Sequence, residues 1–410
     1  KANATPAVAI DASLPAGVGV YGLVDRVALR IGTEVVSEIT DFGHWMAYKS
    51  MFIDNDINLE RETYLTSRII SHGMQLKGDD DGKMSNTNAS GYSLLTKNEY
   101  VLDAAGDAGS LAIQEELKNA NAAEFSLSVA DLIPWLRFNQ LPLYMFGSTQ
   151  ISIEIHWVSQ ESQKRMIVGA TDFNASFTID TTKTQFIADY IYYDNELMDR
   201  FATENANMNW TYTDYRLAKR SYLNTELQTR QIFNVGGAGR ICNKVISGLE
   251  FDASNPSLSI LGVYHANAPA LDGDNNTFFT TNLIYNNNRL YPVDRTNPAV
   301  HFHDVISTEQ NVPQITRQEY SSGGAAGTDA GLLTDFTYNG NEQHLNASGL
   351  DGNFFYNGYR LNRNERVDST GITVELQYGA LTAGTYIYRS YLELVKNASL
   401  INGGFSTELA

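Results

Sequence analysis

Strict alternation of apolar and polar residues over Ile151 to Trp157 constrains the fold of this chain more than any other feature. The segment reads ISIEIHW, so its isoleucines and its tryptophan point one way and its polar residues point the other. A period of two over this length predicts a β-strand with one buried face and one face in water. A similar segment, ITVELQY at Ile372 to Tyr378, follows about 220 residues later.

Two further pairs of segments recur at nearly the same spacing. VDRVALRIG from Val24 has a counterpart in CNKVISGLE from Cys242, and the predicted aromatic strand Phe186 to Tyr193 has one in Thr385 to Val395. Three pairs at one spacing predict two copies of one all-β domain. Many short strands separated by Gly-, Asn- and Asp-rich loops favour sandwiches or jelly rolls over a parallel α/β sheet.

The expected division of the chain follows from these patterns. Residues 1–20 are small and contain Pro and Gly, which predicts an extended N-terminal arm. The first domain is expected over 21–201 and the second over 236–400. Residues 202–235 lack a sustained pattern and are interpreted as an interdomain linker, and 401–410 as a C-terminal tail.

Individual segments carry predictions of their own. Leu23 to Ile31 is predicted as a strand, and Gly43 to Ile53 fits either a strand or a helix. Ser71 to Ser93 is predicted as a long surface loop because it is rich in Gly, Asp, Asn and Ser. Ser110 to Ala120 is the best helix candidate, and Asp194 to Phe201 is predicted as a short helix with an acidic N-terminus.

Composition excludes several classes of protein. The 410 residues are 43% hydrophobic and 19% charged, which is enough for two packed domains and unlike a disordered chain. A net charge of −18 lacks the basic footprint of a general nucleic-acid binder. The single cysteine rules out an internal disulfide framework and fits a reducing compartment. No apolar run is long enough for a transmembrane helix and no secretory signal is visible, although the start at Lys1 leads us to expect preceding residues.

His301-Phe-His303 is the sharpest candidate for a metal site. On a strand, two histidines at i and i+2 share a face, as metal-binding cupins require. The cupin pattern has a Gly six residues before the first His, where this chain has Arg295. It also has a Glu after three or four intervening residues, whereas Glu309 follows after five. Because a metal needs three or four ligands and two are visible, no metal residue is assigned.

The remaining motifs favour structural roles. Asp79 to Asp81 and Asp272 to Asn276 are interpreted as solvated turns, because Thr277 breaks the calcium-loop pattern. Gly236 to Arg240 lacks the Lys-Ser/Thr of a phosphate loop and is predicted as a turn between domains. Cys242 is predicted as a small core residue. No nucleophile–base set can be assembled from spacing, so no catalytic or cofactor-binding residue and no cofactor is assigned.

The stretch from Leu141 to Trp157, LPLYMFGSTQISIEIHW, resembles a segment of the major capsid proteins of nucleocytoplasmic large DNA viruses and their virophage and polinton-like relatives. Downstream, ADYIYYD at Ala188 to Asp194, followed by Glu196 and Arg200-Phe201, is similar to that family's strand-to-helix passage. The two motifs occur in the family's order and at its spacing. The resemblance implies a double jelly roll, with two tandem eight-stranded antiparallel sandwiches and a few short helices in loops.

What the resemblance implies about function is assembly without catalysis. Three copies around a threefold axis would supply six similar domains, forming a pseudo-hexagonal capsomer that tiles an icosahedral DNA-virus shell. Expected partners are two further copies, neighbouring capsomers, penton proteins and minor capsid or cement proteins, all within the virion. Sequence-specific nucleic-acid binding is not expected, and in many relatives a membrane lies beneath the shell.

A second hypothesis comes from a different class of protein. A duplicated β-sandwich enzyme or carbohydrate-binding protein, of the bicupin or glycan-active kind, would share the predicted architecture. A bound metal and a deep pocket at His301 and His303 would favour it. A minor capsid protein is a third alternative, which the duplication argues against because such proteins usually contain a single jelly roll.

Overall fold

A computed structural model gives the fold of the chain. It describes the following residues: 10–13, 18–52, 65–66, 99–102, 125–138, 141–147, 149–159, 182–189, 191–205, 207–252, 264, 266, 279–313, 320, 337–338, 341–342, 354–361, 365–379, 381, 383–401 and 404–409. The predicted loop at Ser71 to Ser93 and the predicted helix at Ser110 to Ala120 lie outside these residues.

Strands predominate among the described residues, and all the sheets are antiparallel. The strands are β1 (Ile10–Ser13), β2 (Val24–Ile31), β3 (Glu34–Thr40), β4 (Glu99–Leu102), β5 (Ile151–Trp157), β6 (Asn207–Leu223), β7 (Gln231–Gly236), β8 (Cys242–Phe251), β9 (Phe279–Tyr285), β10 (Asn288–Arg289), β11 (Thr337–Tyr338), β12 (Asn341–Glu342), β13 (Asn357–Arg360), β14 (Ile372–Tyr378), β15 (Thr385–Ile401) and β16 (Gly404–Leu409). The helices are α1 (Phe42–Ser50), α2 (Val129–Leu132), α3 (Pro134–Phe138), α4 (Asn195–Glu204), α5 (Asn224–Leu227) and α6 (Pro298–Glu309). The predicted all-β class, with a few short helices, is confirmed.

The first core lies beneath the sheet of β3, β2 and β5, in that order. Leu29 at the centre of β2 pairs with Ser37 of β3 and with Ile153 of β5. The isoleucines of β5 face this core and are partly buried, as the alternation predicted. The 3-10 turn at residues 19–23 and helices α1 to α3 complete the core. The predicted strand at Leu23 to Ile31 is confirmed, and Gly43 to Ile53 is mainly helix α1.

The second core is enclosed by two sheets. One has the order β10-β9-β14-β7, and the other contains β13, β8, β15, β16 and β6. Its centre is aromatic: Phe279 lies 4.4 Å from Tyr378 and 5.6 Å from Phe355 between ring centroids. These rings are at most 1% exposed, so the chain buries large apolar area here.

Strands β6 and β15 run through both cores, which corrects two predictions. They pair along seventeen residues, from Asn207↔Ile401 to Leu223↔Thr385. At one end Tyr222 and Tyr388 belong to the second core, whereas at the other end Tyr212 and Leu400 belong to the first. Residues 202–235, interpreted as an interdomain linker, contain the end of α4, all of β6 and α5, and most of β7. The tail predicted at 401–410 contains β16, which pairs with β15. Strands β6 and β16 both carry apolar residues that pack against the first core, among them Trp210 and Phe405.

Segments that are about 220 residues apart in the sequence do not occupy equivalent positions in the sheets of the two cores. In the first core β2 pairs directly with β5. Their proposed counterparts, β8 and β14, lie in different sheets of the second core. Two β cores are present, but the matched segments do not occupy matched positions, because a period-two pattern identifies a strand and not its neighbour.

Helix α1 lies between the two cores and ties them together by buried charges. Its Trp45 and Met46 pack in the first core, and Tyr48 packs in the second. Next to its start, Asp41 accepts ion pairs from Arg389 of β15 at 3.2 Å and from Lys219 of β6 at 3.0 Å. Arg389 also pairs with the buried Glu250 of β8, which pairs with His44 of α1.

A second buried group joins α1 to α6. Glu309 accepts from Tyr48 at 2.7 Å and pairs with Lys49 at 3.3 Å and Lys244 at 2.6 Å. Burial opposes ionisation, but the two ammonium groups outweigh it and lower the pKa of Glu309 to about 2. Lys244 also pairs with Glu393 at 3.2 Å. Such satisfied networks fix the relative position of the elements that carry them.

Candidate assembly surface

A 3-10 turn at Leu143 to Met145 brings the LPLYMF motif to the surface. Met145 and Phe146 are buried in the first core and anchor the turn. Leu143 and Tyr144 point away from that core and are 50% and 38% exposed. The motif thus presents apolar side chains to solvent from a fixed position beside strand β5.

The aromatic segment Phe186 to Tyr193 is not a strand, which corrects the prediction made for it. None of its described residues forms a ladder with another strand, and all of them are exposed. Ile187 is 86% exposed and Ile191 is 76% exposed. The apolar pattern that predicted a buried strand belongs instead to a surface segment, because no core of this chain covers it within the described residues.

Helix α4 follows this segment and lies against the 3-10 turn. The helix predicted at Asp194 to Phe201 is confirmed. The ring of Tyr193 contacts that of Phe201 edge to face, with 5.6 Å between centroids. Arg200 pairs with Glu204 one turn later at 2.7 Å. The two motifs that carry the capsid resemblance, more than 40 residues apart, therefore lie side by side.

We call the exposed apolar residues of these segments the aromatic surface. Thirteen large apolar side chains are well exposed in the described part of the chain, and eight of them belong to it. They are Leu143, Tyr144, Phe186, Ile187, Ile191, Tyr192, Tyr193 and Leu197. Contiguous exposed apolar residues mark interaction sites, because leaving them in water is unfavourable. A protein partner is the occupant that this surface fits.

The charge of the same region is acidic. Between Phe186 and Asp199 there are four carboxylates, at Asp189, Asp194, Glu196 and Asp199, and no basic residue. The ion pair described on α4 uses Arg200 and Glu204 and leaves those four in solvent. Apolar rings interspersed with unpaired carboxylates would suit a partner that offers cations together with apolar area.

His301 and His303 lie on helix α6, not on a strand, so the predicted shared face is wrong. Two positions along a helix point to nearly opposite sides. His301 is buried against Phe279 and Phe355, with centroid distances of 5.1 and 5.6 Å, whereas His303 is exposed. Burial lowers the pKa of His301 to about 4, which keeps it neutral. The two imidazoles cannot bind one metal ion.

The other predicted motifs have the following positions. Cys242 is buried in β8, and burial raises the pKa of its thiol to about 12, in keeping with a core residue. Gly236 to Arg240 forms the turn between β7 and β8, with positive φ at three of its glycines. It does not separate the two cores, because β7 already packs in the second. Asp79 to Asp81 and Asp272 to Asn276 lie outside the described residues.

Two searches for other kinds of site are limited to the described residues. Within them, no three His, Cys, Asp or Glu side chains are grouped closely enough to hold a metal ion. Among the same residues, no helix has the length and apolar character needed to cross a membrane. The aromatic surface is the strongest candidate for function.

Comparison with known proteins finds similarity in three dimensions only. No protein-family model and no curated protein matches the sequence. The chain aligns with the PBCV-1 virus capsid at a TM-score of 0.47 and 12% identity, covering 98% of this chain and 90% of that one. It aligns with a cryo-EM structure of the Sputnik virophage at a TM-score of 0.43 and 9% identity, covering 100% of this chain and 78% of that one. It aligns with the mavirus major capsid protein at a TM-score of 0.42 and 7% identity, covering 100% of this chain and 80% of that one.

Proposed function

We propose that this chain is a major capsid protein that trimerises into pseudo-hexagonal capsomers and tiles the icosahedral shell of a DNA virus. The observation that carries the proposal is the aromatic surface. The two segments that resemble the capsid family fold next to each other and expose apolar side chains instead of burying them. A surface of this kind serves association between proteins.

The way the two cores are joined supports the same function. A shell tile must keep its shape while its edges contact different neighbours. Strands β6 and β15 cross both cores, and ion pairs connect α1 to β8 and to α6. These connections would make the two cores one rigid body. Three such bodies around a threefold axis would present six lobes.

The expected partners follow from this role. Each copy would contact two others in the capsomer, and each capsomer would contact its neighbours, penton proteins and minor capsid or cement proteins. The net charge of −18 would keep free capsomers apart in solution until specific contacts form. The protein would reside in the virion, with sequence-specific DNA binding left to other components and, in some shells, a membrane beneath.

A metal-dependent bicupin loses its main support. Its two histidines lie on opposite sides of α6, and one of them is enclosed by phenylalanine rings. No other described feature favours the carbohydrate-binding alternative. We therefore propose a structural protein and not an enzyme.

Substitution of the aromatic surface tests the proposal. In the double variant Ile187→Glu and Ile191→Glu, both side chains are already in solvent in the single chain, so folding should be unchanged. Two carboxylates at a buried interface would be desolvated without partners, so trimers should be lost. Sedimentation velocity gives the size, and far-UV circular dichroism confirms folding.

The matched control is Ile232→Glu on β7. Ile232 is 60% exposed and lies in the sheet β10-β9-β14-β7, which contains no residue of the aromatic surface. This variant should assemble as the wild type does. If the double variant forms trimers with wild-type affinity, the aromatic surface has no part in assembly and the observation behind the proposal fails.

A further inference from the structure

We infer that the aromatic surface of one copy binds the second half of strand β6, residues 215–223, on the next copy in the capsomer. This inference rests on the proposed trimer and names its contacting surfaces. The contact is heterologous, because the two surfaces are different parts of the chain. Three identical head-to-tail contacts close a ring around a threefold axis.

The second half of β6 is the basic counterpart that an acidic, aromatic surface requires. Residues 215–223 contain Arg216, Lys219 and Arg220 and no acidic residue, in a chain where acids outnumber bases by 47 to 29. Lys219 already pairs with Asp41. Arg216 and Arg220 are exposed, and neither has a carboxylate partner within the described residues.

β6 is also accessible as an edge. Among the described strands it pairs with β15 only, so it is an edge strand of the described sheet. Leu223, at the end of the basic stretch, is 53% exposed and adds apolar area. An edge strand with unpaired backbone groups is a surface on which another chain can dock.

Arginine is chemically suited to this partner. The guanidinium group can pair with a carboxylate and stack on an aromatic ring at the same time. Arg220 already lies over the ring of Tyr222, 4.8 Å from its centroid. The region of the aromatic surface offers both an aromatic ring and a carboxylate to an arginine. Asp189 and Asp194 lie close in sequence to Phe186, Tyr192 and Tyr193.

Geometry places the contact between copies. Helix α4 ends at Glu204, and β6 begins at Asn207. At a rise of about 3.3 Å per residue, Arg216 and Arg220 lie roughly 30–40 Å farther along the strand. No ion pair joins the two regions within the described part of one chain. A neighbouring copy, rotated about the threefold axis, brings them together.

A simpler role for the cations is protection of the edge. Charged side chains on an edge strand discourage uncontrolled pairing. That role needs charge of either sign and no particular partner. Reversing the charges therefore separates the two explanations.

The test uses two charge reversals in the full chain. The first is Asp189→Lys with Asp199→Lys, and the second is Arg216→Glu with Arg220→Glu. Each alone places like charges opposite each other and should raise the dissociation constant of the trimer at least about tenfold. Combined, they restore opposite charges and should recover most of that loss. A control, Glu365→Lys with Glu408→Lys, makes the same net charge change as the first reversal at other exposed positions and should have little effect.

The outcomes separate this inference from the proposed function. If the wild type is a trimer and either reversal leaves its dissociation constant unchanged, the inferred contact is wrong and the capsomer stands. If the combined variant is as weak as the product of the two reversals, the charges do not face each other and the inference also fails. A monomeric wild type would overturn both proposals.

Cross-linking gives a second measurement that does not depend on weakened assembly. The natural cysteine, Cys242, is 1% exposed, so the background is low. Chains with Asp189→Cys are mixed with chains carrying Arg216→Cys under mild oxidation. A disulfide between the two kinds of chain is expected, and it should be absent when either is oxidised alone. Lack of the mixed product from intact trimers would contradict the contact.

Discussion

His301 shows how its surroundings decide what a histidine does. Its ring lies among Phe279, Phe355 and the rest of the second core, where burial disfavours the charged form and the guanidinium of Arg295 opposes it further. The pKa of His301 is about 4, so the neutral form is held throughout the physiological range. The burial of His301 therefore makes the free energy of unfolding depend on pH, and this dependence can be measured.

Stability should fall on acidification because of His301. Since burial lowers the pKa of this imidazole from 6.5 to about 4, the unfolded chain binds a proton there that the folded chain does not. The free energy of unfolding is not reduced by this group above pH 6.5. It falls as the pH drops toward 4, by at most roughly 3 kcal/mol. In His301→Leu this part of the pH dependence should disappear from urea unfolding measured between pH 7 and 4.

His303→Leu is the control on the same helix. His303 is exposed, so its removal should leave His301 buried, and the fall in stability toward pH 4 should persist. Equal slopes for His301→Leu and the wild type would contradict the burial of His301 in the second core.

The sequence contained the signal that corrects this histidine pair. Asn297 caps α6 by accepting from the amide of Ala299 at 2.8 Å, and Pro298 occupies the first helical position. Asn followed by Pro is a common start of a helix. Given that start, His301 and His303 could not have shared a face. The burial of His301 depends on residues distant in the sequence, so the local pattern does not predict it.

At the scale of single elements, α1 and α6 are joined through Glu309. Its carboxylate lies among Tyr48, Lys49 and Lys244, all within 3.5 Å, and is one of the contacts that couple the two cores. Removing one partner of a buried charge group leaves the others without compensation, which costs far more than a surface ion pair.

Glu309→Gln should destabilise the folded chain by about 3–5 kcal/mol near pH 7. Because the pKa of Glu309 is lowered from 4.5 to about 2, its contribution is present above pH 4.5 and is lost as the pH falls toward 2. The difference in unfolding free energy between variant and wild type should therefore narrow over that range. Glu365→Gln, at an exposed position, should match the wild type at both ends. A constant difference at all pH values would contradict the ionised pair.

The wrong predictions for β6 and for the segment at Phe186 to Tyr193 have a physical explanation. In β6, Met208, Trp210 and Tyr212 alternate with polar residues, but charges interrupt the pattern over the second half of the strand, so the sequence does not predict a strand there. The segment at Phe186 to Tyr193 is apolar without being buried. Hydrophobicity records that a side chain avoids water, and it does not say whether its own chain or another one covers it.

At the scale of the whole molecule, duplication predicted two β cores, and two are present. The crossing of β6 and β15 through both cores was not predicted. It joins residues more than 160 positions apart, and nothing local in either segment identifies its partner. For the candidate surface, the sequence identifies the two motifs by their family resemblance but predicts a strand at one of them, and the exposure and contact of the motifs follow only from the structure.

Electron cryo-microscopy of the purified chain tests the capsomer directly. We expect particles with threefold symmetry and six lobes, of about 136 kDa, three times the chain mass of 45.4 kDa. The expected outline is hexagonal, with two lobes from each copy. Single two-lobed particles of one chain's mass at micromolar concentration would contradict the central claim.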